Sequence, residues 1–253
     1  MAAATLARLV LLEARRGALP WLVAASLAFA LALAAFLAEV ALTERAALQA
    51  ALVAAVLRAC AVFLIAAQVA SSTLREIDDK GLELMLSLPL SRATHYLGRL
   101  AGFAACAAAI ALIFSLPQLL WSAPPRVAMW GASLALEGAL VAAAALFFAM
   151  TLGSLVAAIG ATAGLYLLAR AMPAIQAIAA SPLADESWAG RLARHAVDAI
   201  ALFLPRLDAA TRTDWLLYDA PTAAGLGSAL AGLAAYLVLL AVAGLADFYR
   251  KSA

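Results

Sequence analysis

The chain has 253 residues, a net charge of +2, 67% hydrophobic residues and only 13% charged ones; its mean hydropathy is +1.01. A soluble domain carries roughly a quarter of its residues as Asp, Glu, Lys and Arg. A chain this apolar could not cover its own surface in water, so lipid is the implied solvent and a soluble enzyme is excluded. The small net charge also gives no ground for nucleic-acid binding.

Residues 2–16 (AAATLARLVLLEARR) have a helical, amphipathic composition. They suit either a helix on the inner leaflet, with Arg8, Arg15 and Arg16 toward headgroups, or a lead-in to the first span. A lipid-spanning helix needs about 20 mostly apolar residues. Six stretches qualify: 18–38, 47–71, 96–120, 127–150, 155–179 and 223–246. The first is too long for a signal-peptide core and reads as retained. The expected fold is therefore all-α, one transmembrane domain over 1–253. Arg8, Arg15, Arg16, Arg75, Lys80, Arg92, Arg99, Arg250 and Lys251 fall on one side of such a layout, and only Arg45 and Arg126 fall in the short loops opposite. The positive-inside rule then places both termini in the cytoplasm.

Two long segments lie between spans. Residues 72–95 form a cytoplasmic loop with the densest charge in the chain: Arg75, Glu76, Asp78, Asp79, Lys80 and Glu83. Residues 181–222 form an outer segment. Within it, 188–204 shows helical periodicity, with Leu192, Ala196, Ile200 and Phe203 opposite Arg191, Arg194, His195 and Asp198. That pattern reads as a helix at the outer face, followed by interfacial Trp215 and Tyr218.

Catalytic and metal patterns are missing. Cys60 and Cys106 lie in apolar runs and read as buried thiols. His95 and His195 are the only histidines, too few for a His/Cys metal cluster. A P-loop needs Gly-Lys-Ser/Thr after a glycine-rich turn, but Lys80 follows Asp79 and Lys251 follows Arg250. The HExxH pattern is absent. Asp219 and Asp247 fall at opposite ends of the last span, about 30 Å apart, and cannot form an aspartyl dyad. No catalytic constellation emerges.

Three charges fall inside spans: Arg58, Glu137 and Arg170. Each costs about 2.5–3.5 kcal/mol to insert, so such residues are functional candidates. By residue count Arg58 and Glu137 both sit near the midplane, which suggests that they pair, with Arg170 as the alternative partner. Such a pair either fixes helix register or forms a charged lining of a substrate path. Gln68 and Gln118 are the other polar groups within the spans. Gly131, Gly138, Gly160 and Gly164 read as packing positions.

The cytoplasmic loop continues past its charged run with Gly81, Leu82, Glu83, Leu84, Met85, Leu86, Ser87, Leu88, Pro89, Leu90, Ser91 and Arg92. Gly81 permits a turn, the leucines supply apolar anchors, and Pro89 stops a short helix. A helix of this kind suits docking to a soluble partner. The stretch resembles the loop after the second span in permease subunits of type-2 ATP-binding-cassette (ABC) exporters. There the pattern is a charged run, Gly, an apolar helix with an embedded Glu, then Leu-x-x-Pro-x-Ser-Arg. The motif covers about 20 residues, and the layout of the whole chain is also similar. Leu82 stands where the family has Thr or Ser.

The resemblance implies a multi-pass protein of a prokaryotic cytoplasmic membrane that moves a cargo outward, and the mostly apolar spans favour a hydrophobic or amphipathic one. It implies a separate ABC ATPase subunit that holds ATP and Mg, and a second permease chain, so this chain is not itself an enzyme. The loop residues implied in coupling are Glu76, Asp78, Asp79, Gly81, Glu83, Leu86 and Arg92. Two other classes fit parts of the sequence. An ion-coupled carrier could use Arg58 and Glu137 as a charge relay, although no internal repeat is evident and only Pro117 and Pro173 interrupt spans. A membrane scaffold could use the loop to recruit a soluble partner.

Overall fold

A computed structural model describes residues 2–40, 44–79, 91–180, 188–218 and 223–251. The described residues are helical throughout, apart from turns and one irregular stretch, and contain no strand. The helices are α1 (Ala2–Arg16), α2 (Leu19–Val40), α3 (Arg45–Asp78), α4 (Arg92–Ser115), α5 (Pro124–Leu152), α6 (Leu155–Ala179), α7 (Trp188–Leu202), α8 (Asp214–Leu217) and α9 (Ala223–Lys251). Six segments are long and apolar enough to cross a membrane: Leu19–Glu39, Arg45–Asp78, Arg92–Leu120, Pro124–Leu152, Leu155–Ala179 and Gly225–Arg250.

Local chemistry explains several boundaries. Helix α3 runs seven residues beyond the expected end of its span, through Arg75 and Glu76 to Asp78. No glycine or proline interrupts it before Gly81, so Arg75, Glu76 and Asp78 of the charged run lie in the last turns of a helix and not in a loop. Ser91 caps α4, its hydroxyl accepting from the Thr94 amide at 3.2 Å and satisfying one of the free amides of the first turn. At Pro117 the missing N–H and the ring disrupt the helical ladder, and α4 tightens into a 3-10 turn over Leu116–Leu120. Pro173, by contrast, lies inside a continuous α6. Gly153 ends α5 in the left-handed conformation (φ 62°) and turns the chain into α6, a conformation that carries no Cβ penalty in glycine.

Helix α5 is the axis of the bundle and packs against α3, α4, α6, α8 and α9. Of its most apolar window 67% is buried, against 11% for the last span. The reason is the size of its side chains. Ala142, Ala143, Ala144 and Ala145 are all buried, and Gly138 lies where a Cβ would come within 2.8 Å of Ile65 on α3 and 3.0 Å of Ala107 on α4. Small residues let backbones approach closely where lipid supplies no hydrophobic drive between helices. The outer helices instead present large apolar groups outward, such as Phe29 and Phe36 on α2, Val156 and Leu167 on α6, and Val238 and Val242 on α9.

Helix α1 is distinct from the first apolar helix. It is a separate helix, broken from α2 at Gly17–Ala18, and it packs across α4 and touches α2. Leu6, Val10 and Ala14 are buried, at the i, i+4, i+8 spacing of one helix face. Gly98 and Gly102 on α4 make room: a Cβ on Gly102 would lie 2.7 Å from the Val10 Cβ. Arg8, Arg15 and Arg16 point away from the protein.

Candidate functional site

Two polar clusters break the apolar bundle. The first surrounds Glu137, which is fully buried. It stands 13 residues into the 29 of α5, about 20 Å along the helix from Pro124. Its carboxylate accepts a hydrogen bond from the Tyr166 hydroxyl of α6 at 2.8 Å and another from the Thr211 hydroxyl. Its ion-pair partner is Arg170, with Nη1 3.7 Å from Oε1. Of the two partners considered from sequence, the structure places the alternative one against the carboxylate. Arg58 is not within ion-pair distance of the carboxylate; it donates from Nη1 to the Thr211 carbonyl at 2.9 Å.

Thr211 belongs to the irregular stretch between α7 and α8, which folds inward to the middle of α5. Leu204, Leu207, Ala210 and Thr211 are buried there. A non-helical backbone deep in such a bundle has carbonyls without ladder partners, and it persists only where protein groups satisfy them. The two arginines do so. Arg170 Nη1 donates to the Leu207 carbonyl at 2.6 Å and to the Ala210 carbonyl at 3.1 Å, and Nη2 reaches the Thr211 carbonyl at 3.4 Å. The Thr211 amide donates to Ser133 Oγ on α5 at 3.2 Å. Thr211 sits at φ 46°, a strained region for a β-branched residue, held by contacts on its amide, hydroxyl and carbonyl. The Ser122 hydroxyl anchors the stretch again by donating to the Leu216 carbonyl at 3.0 Å.

The second cluster lies where α3 ends and α4 begins, at the two roots of the 80–90 segment. Arg99, 4% exposed, pairs with Glu76, and His95 Nε2 is 3.6 Å from the same carboxylate. Arg99 Nη2 donates to Ser72 Oγ at 3.3 Å, and the Ser72 hydroxyl donates to Glu13 of α1 at 2.9 Å. Three helices are thus tied by one chain of polar contacts. They border a cavity of about 330 Å³ lined by Leu6, Leu9 and Val10 on its apolar side. The C-terminal end of α9 closes over the same corner: Phe248 stacks on His95 at 6.3 Å, and Arg92 lies 5.9 Å from the Tyr249 ring centroid.

The residues expected to meet a soluble partner therefore divide. Glu76 is committed to Arg99 and turned inward, whereas Asp78 and Asp79 are exposed. Arg92 is half-buried against α9. Gly81, Glu83 and Leu86 lie outside the described residues, as do Lys80, Pro89 and Asp219. Asp247 accepts from the Thr151 hydroxyl at 2.9 Å, joining the ends of α9 and α5. Thr211, Ser133, Tyr166, Ser72 and Glu13 were not singled out by sequence reasoning. Single hydroxyls and a carboxylate on an apparently exposed helix face carry no pattern of their own. Arg99 had one available signal, a lone cation one helical turn after His95 on the same face.

No family model matches the chain, and no curated protein matches it. Among the described residues no group of three or more His, Cys, Asp or Glu side chains is arranged to hold a metal ion.

Proposed function

We propose that this chain is the membrane-spanning half-unit of an ATP-driven exporter, and that it converts motion of the 80–90 segment into rearrangement of its helices. The observation that carries this reading is the clamped root of that segment. Helices α3 and α4 leave the bundle side by side, joined by Glu76–Arg99 and tied through Ser72 to α1. A push on the segment reaches α3 and α4 as a unit, and both pack directly on α5. A loop that merely rested on lipid would need no such frame.

Energy must come from outside. The chain has no Gly-Lys-Ser/Thr loop for a triphosphate, so ATP and Mg belong to a separate ABC ATPase subunit. In this reading the short apolar helix from Gly81 to Pro89 enters a groove of that subunit, with Leu86 as its anchor. Exposed Asp78 and Asp79, with Glu83, face basic residues of the partner. Closure of the ATPases on ATP shifts the helices between inward-open and outward-open states, which requires that ATP bind the two states with different affinity. Both termini then lie in the cytoplasm, a second copy or a related chain completes the membrane unit, and the cargo is hydrophobic or amphipathic.

The test is co-purification with the ATPase subunit, followed by ATP turnover in lipid. Glu83→Lys is expected to abolish permease-stimulated hydrolysis while membrane insertion is unchanged. Full stimulation in that variant would reject the docking role of the segment.

A further inference from the structure

We propose that the crevice between α2, α3 and α6 is a binding site for an aminophospholipid, a glycerophospholipid whose head carries a phosphate and a primary ammonium. The site requires only that the helices lie in a membrane, so it is independent of the exporter reading. The crevice holds a cavity of about 250 Å³ at the end of the bundle where α1 lies. One wall is a stripe of α3. Phe63, Ala67, Ser71 and Arg75 line it at successive four-residue steps, the spacing that places side chains along one side of a helix. The stripe grades in polarity, from an aromatic ring through a methyl and a hydroxyl to a guanidinium. From Phe63 to Arg75 it rises about 18 Å. That is close to one leaflet, half of the roughly 30 Å hydrocarbon core with the start of its headgroups.

The facing walls are apolar, with Leu19 and Leu22 from α2 and Leu155 and Ile159 from α6. Leu22, Phe63 and Leu155 are exposed, so the crevice opens sideways to the surroundings of the bundle. An apolar slot of leaflet depth, open to hydrocarbon and with a cation at its mouth, fits one acyl chain beneath its head.

The mouth selects the head. Arg75 is exposed there, and its planar fork matches two oxygens of a phosphate. Glu13 of α1 lines the same cavity. One of its oxygens accepts from the Ser72 hydroxyl at 2.9 Å, and a carboxylate has capacity for further donors. Glu13 and Arg75 also line the neighbouring cavity of about 330 Å³, which gives a head room between α1 and α3. The other charges around that second cavity are Glu76, paired with Arg99 and 3.6 Å from His95, and exposed Asp79, one turn beyond Arg75. Arg15 and Arg16, on the last turn of α1, are exposed as well. A head with negative charge alone would meet Glu13 and Asp79 along with Arg75. A choline head brings the positive charge but no N–H. A primary ammonium brings charge and three donors, so it answers the carboxylates while its phosphate answers Arg75.

The experiment uses the full chain in an uncharged detergent, without ATP or partner. Phosphatidylethanolamine, phosphatidylcholine and phosphatidylglycerol with identical chains are added at equal mole fraction, and glycerophosphoethanolamine, which has no chains, is a fourth arm. Retained lipid is read by native mass spectrometry, and the shift in thermal unfolding midpoint is a second readout. The ethanolamine lipid is expected to be retained about tenfold better than the choline and glycerol lipids. Glu13→Gln keeps an acceptor for Ser72 and should erase the preference for ethanolamine over choline. Arg75→Gln should weaken retention of all three lipids, whereas Arg16→Gln should change nothing. Equal retention of the three lipids by the native chain overturns the proposal, whether or not the variants fold. So does an ethanolamine preference that survives Glu13→Gln, or retention that is indifferent to Arg75→Gln. Glycerophosphoethanolamine binding as tightly as the lipid would show that the slot holds no chain. A dimer that carries no lipid while the monomer does would show that a second copy fills the crevice, and would also overturn the assignment. Loss of ATPase stimulation as a general finding would remove the exporter reading and leave this site untouched.

Discussion

At the scale of single residues, Thr211 does the most with the least. Its amide, hydroxyl and carbonyl contact Ser133, Glu137 and the two arginines, and these contacts hold it in a left-handed conformation that its branched side chain disfavours. Thr211→Val keeps the shape and removes only the hydroxyl, so Glu137 loses a donor it cannot replace from solvent. The expected cost is about 1–3 kcal/mol, read as a lowered thermal midpoint in detergent. Glu137→Ala is harsher, because it leaves Arg170 without its counter-charge; removing one partner of a buried pair costs about 3–5 kcal/mol. An exchange of charges between positions 137 and 170 should recover stability better than an exchange between 137 and 58, since only Arg170 is within ion-pair distance of the carboxylate. Equal recovery by both exchanges would show that the pairing is not specific.

At the scale of elements, two contacts set how the helices meet. Helix α1 is held on α4 by the absence of side chains at Gly98 and Gly102. Gly102→Val would drive a branched side chain into Val10 and lift α1 from its seat. Hydrogen exchange over residues 2–16 should then rise while the α5 core stays protected. Helices α3 and α4 are joined by the Glu76–Arg99 pair. Arg99→Gln should loosen the last two turns of α3, seen as faster exchange over residues 71–79. In the exporter reading it should also weaken ATPase stimulation without preventing assembly. Unchanged exchange would mean that hydrophobic packing alone holds the root of the segment.

At the scale of the whole molecule, α5 decides the architecture. The buried alanine run and Gly138 let α3, α4 and α9 close around it. Gly138→Leu overpacks the contact with Ile65 and Ala107; such insertions typically cost about 1–3 kcal/mol, and here three helices must shift together. The expected outcome is a lower thermal midpoint with unchanged membrane insertion, because insertion depends on span hydropathy and not on packing. The inward-folded stretch before α9 is the other molecular-scale feature. It brings Arg58 of α3, Glu137 of α5 and Arg170 of α6 to one point, which no pair of adjacent helices does alone.

How much of this was legible in advance follows from physics. Hydropathy and length alone announced six helices long and apolar enough to span a membrane, since a spanning helix must satisfy its own backbone and shed charge to enter lipid. The helix expected within 188–204, found at Trp188–Leu202, was readable because period is local. The three charges within spans could be named from sequence because charge there is rare. Which of them pair could not, since depth along a helix says nothing about the direction a side chain faces. The choice of Arg170 over Arg58 depends on where the stretch around Thr211 folds, and that stretch has no periodicity to announce its course. The turn of Glu76 toward Arg99 was likewise invisible, because it arises from residues 23 positions apart brought together only when α3 and α4 pack. Local chemistry and solvent determined the helices; long-range packing alone decided which of their polar groups meet.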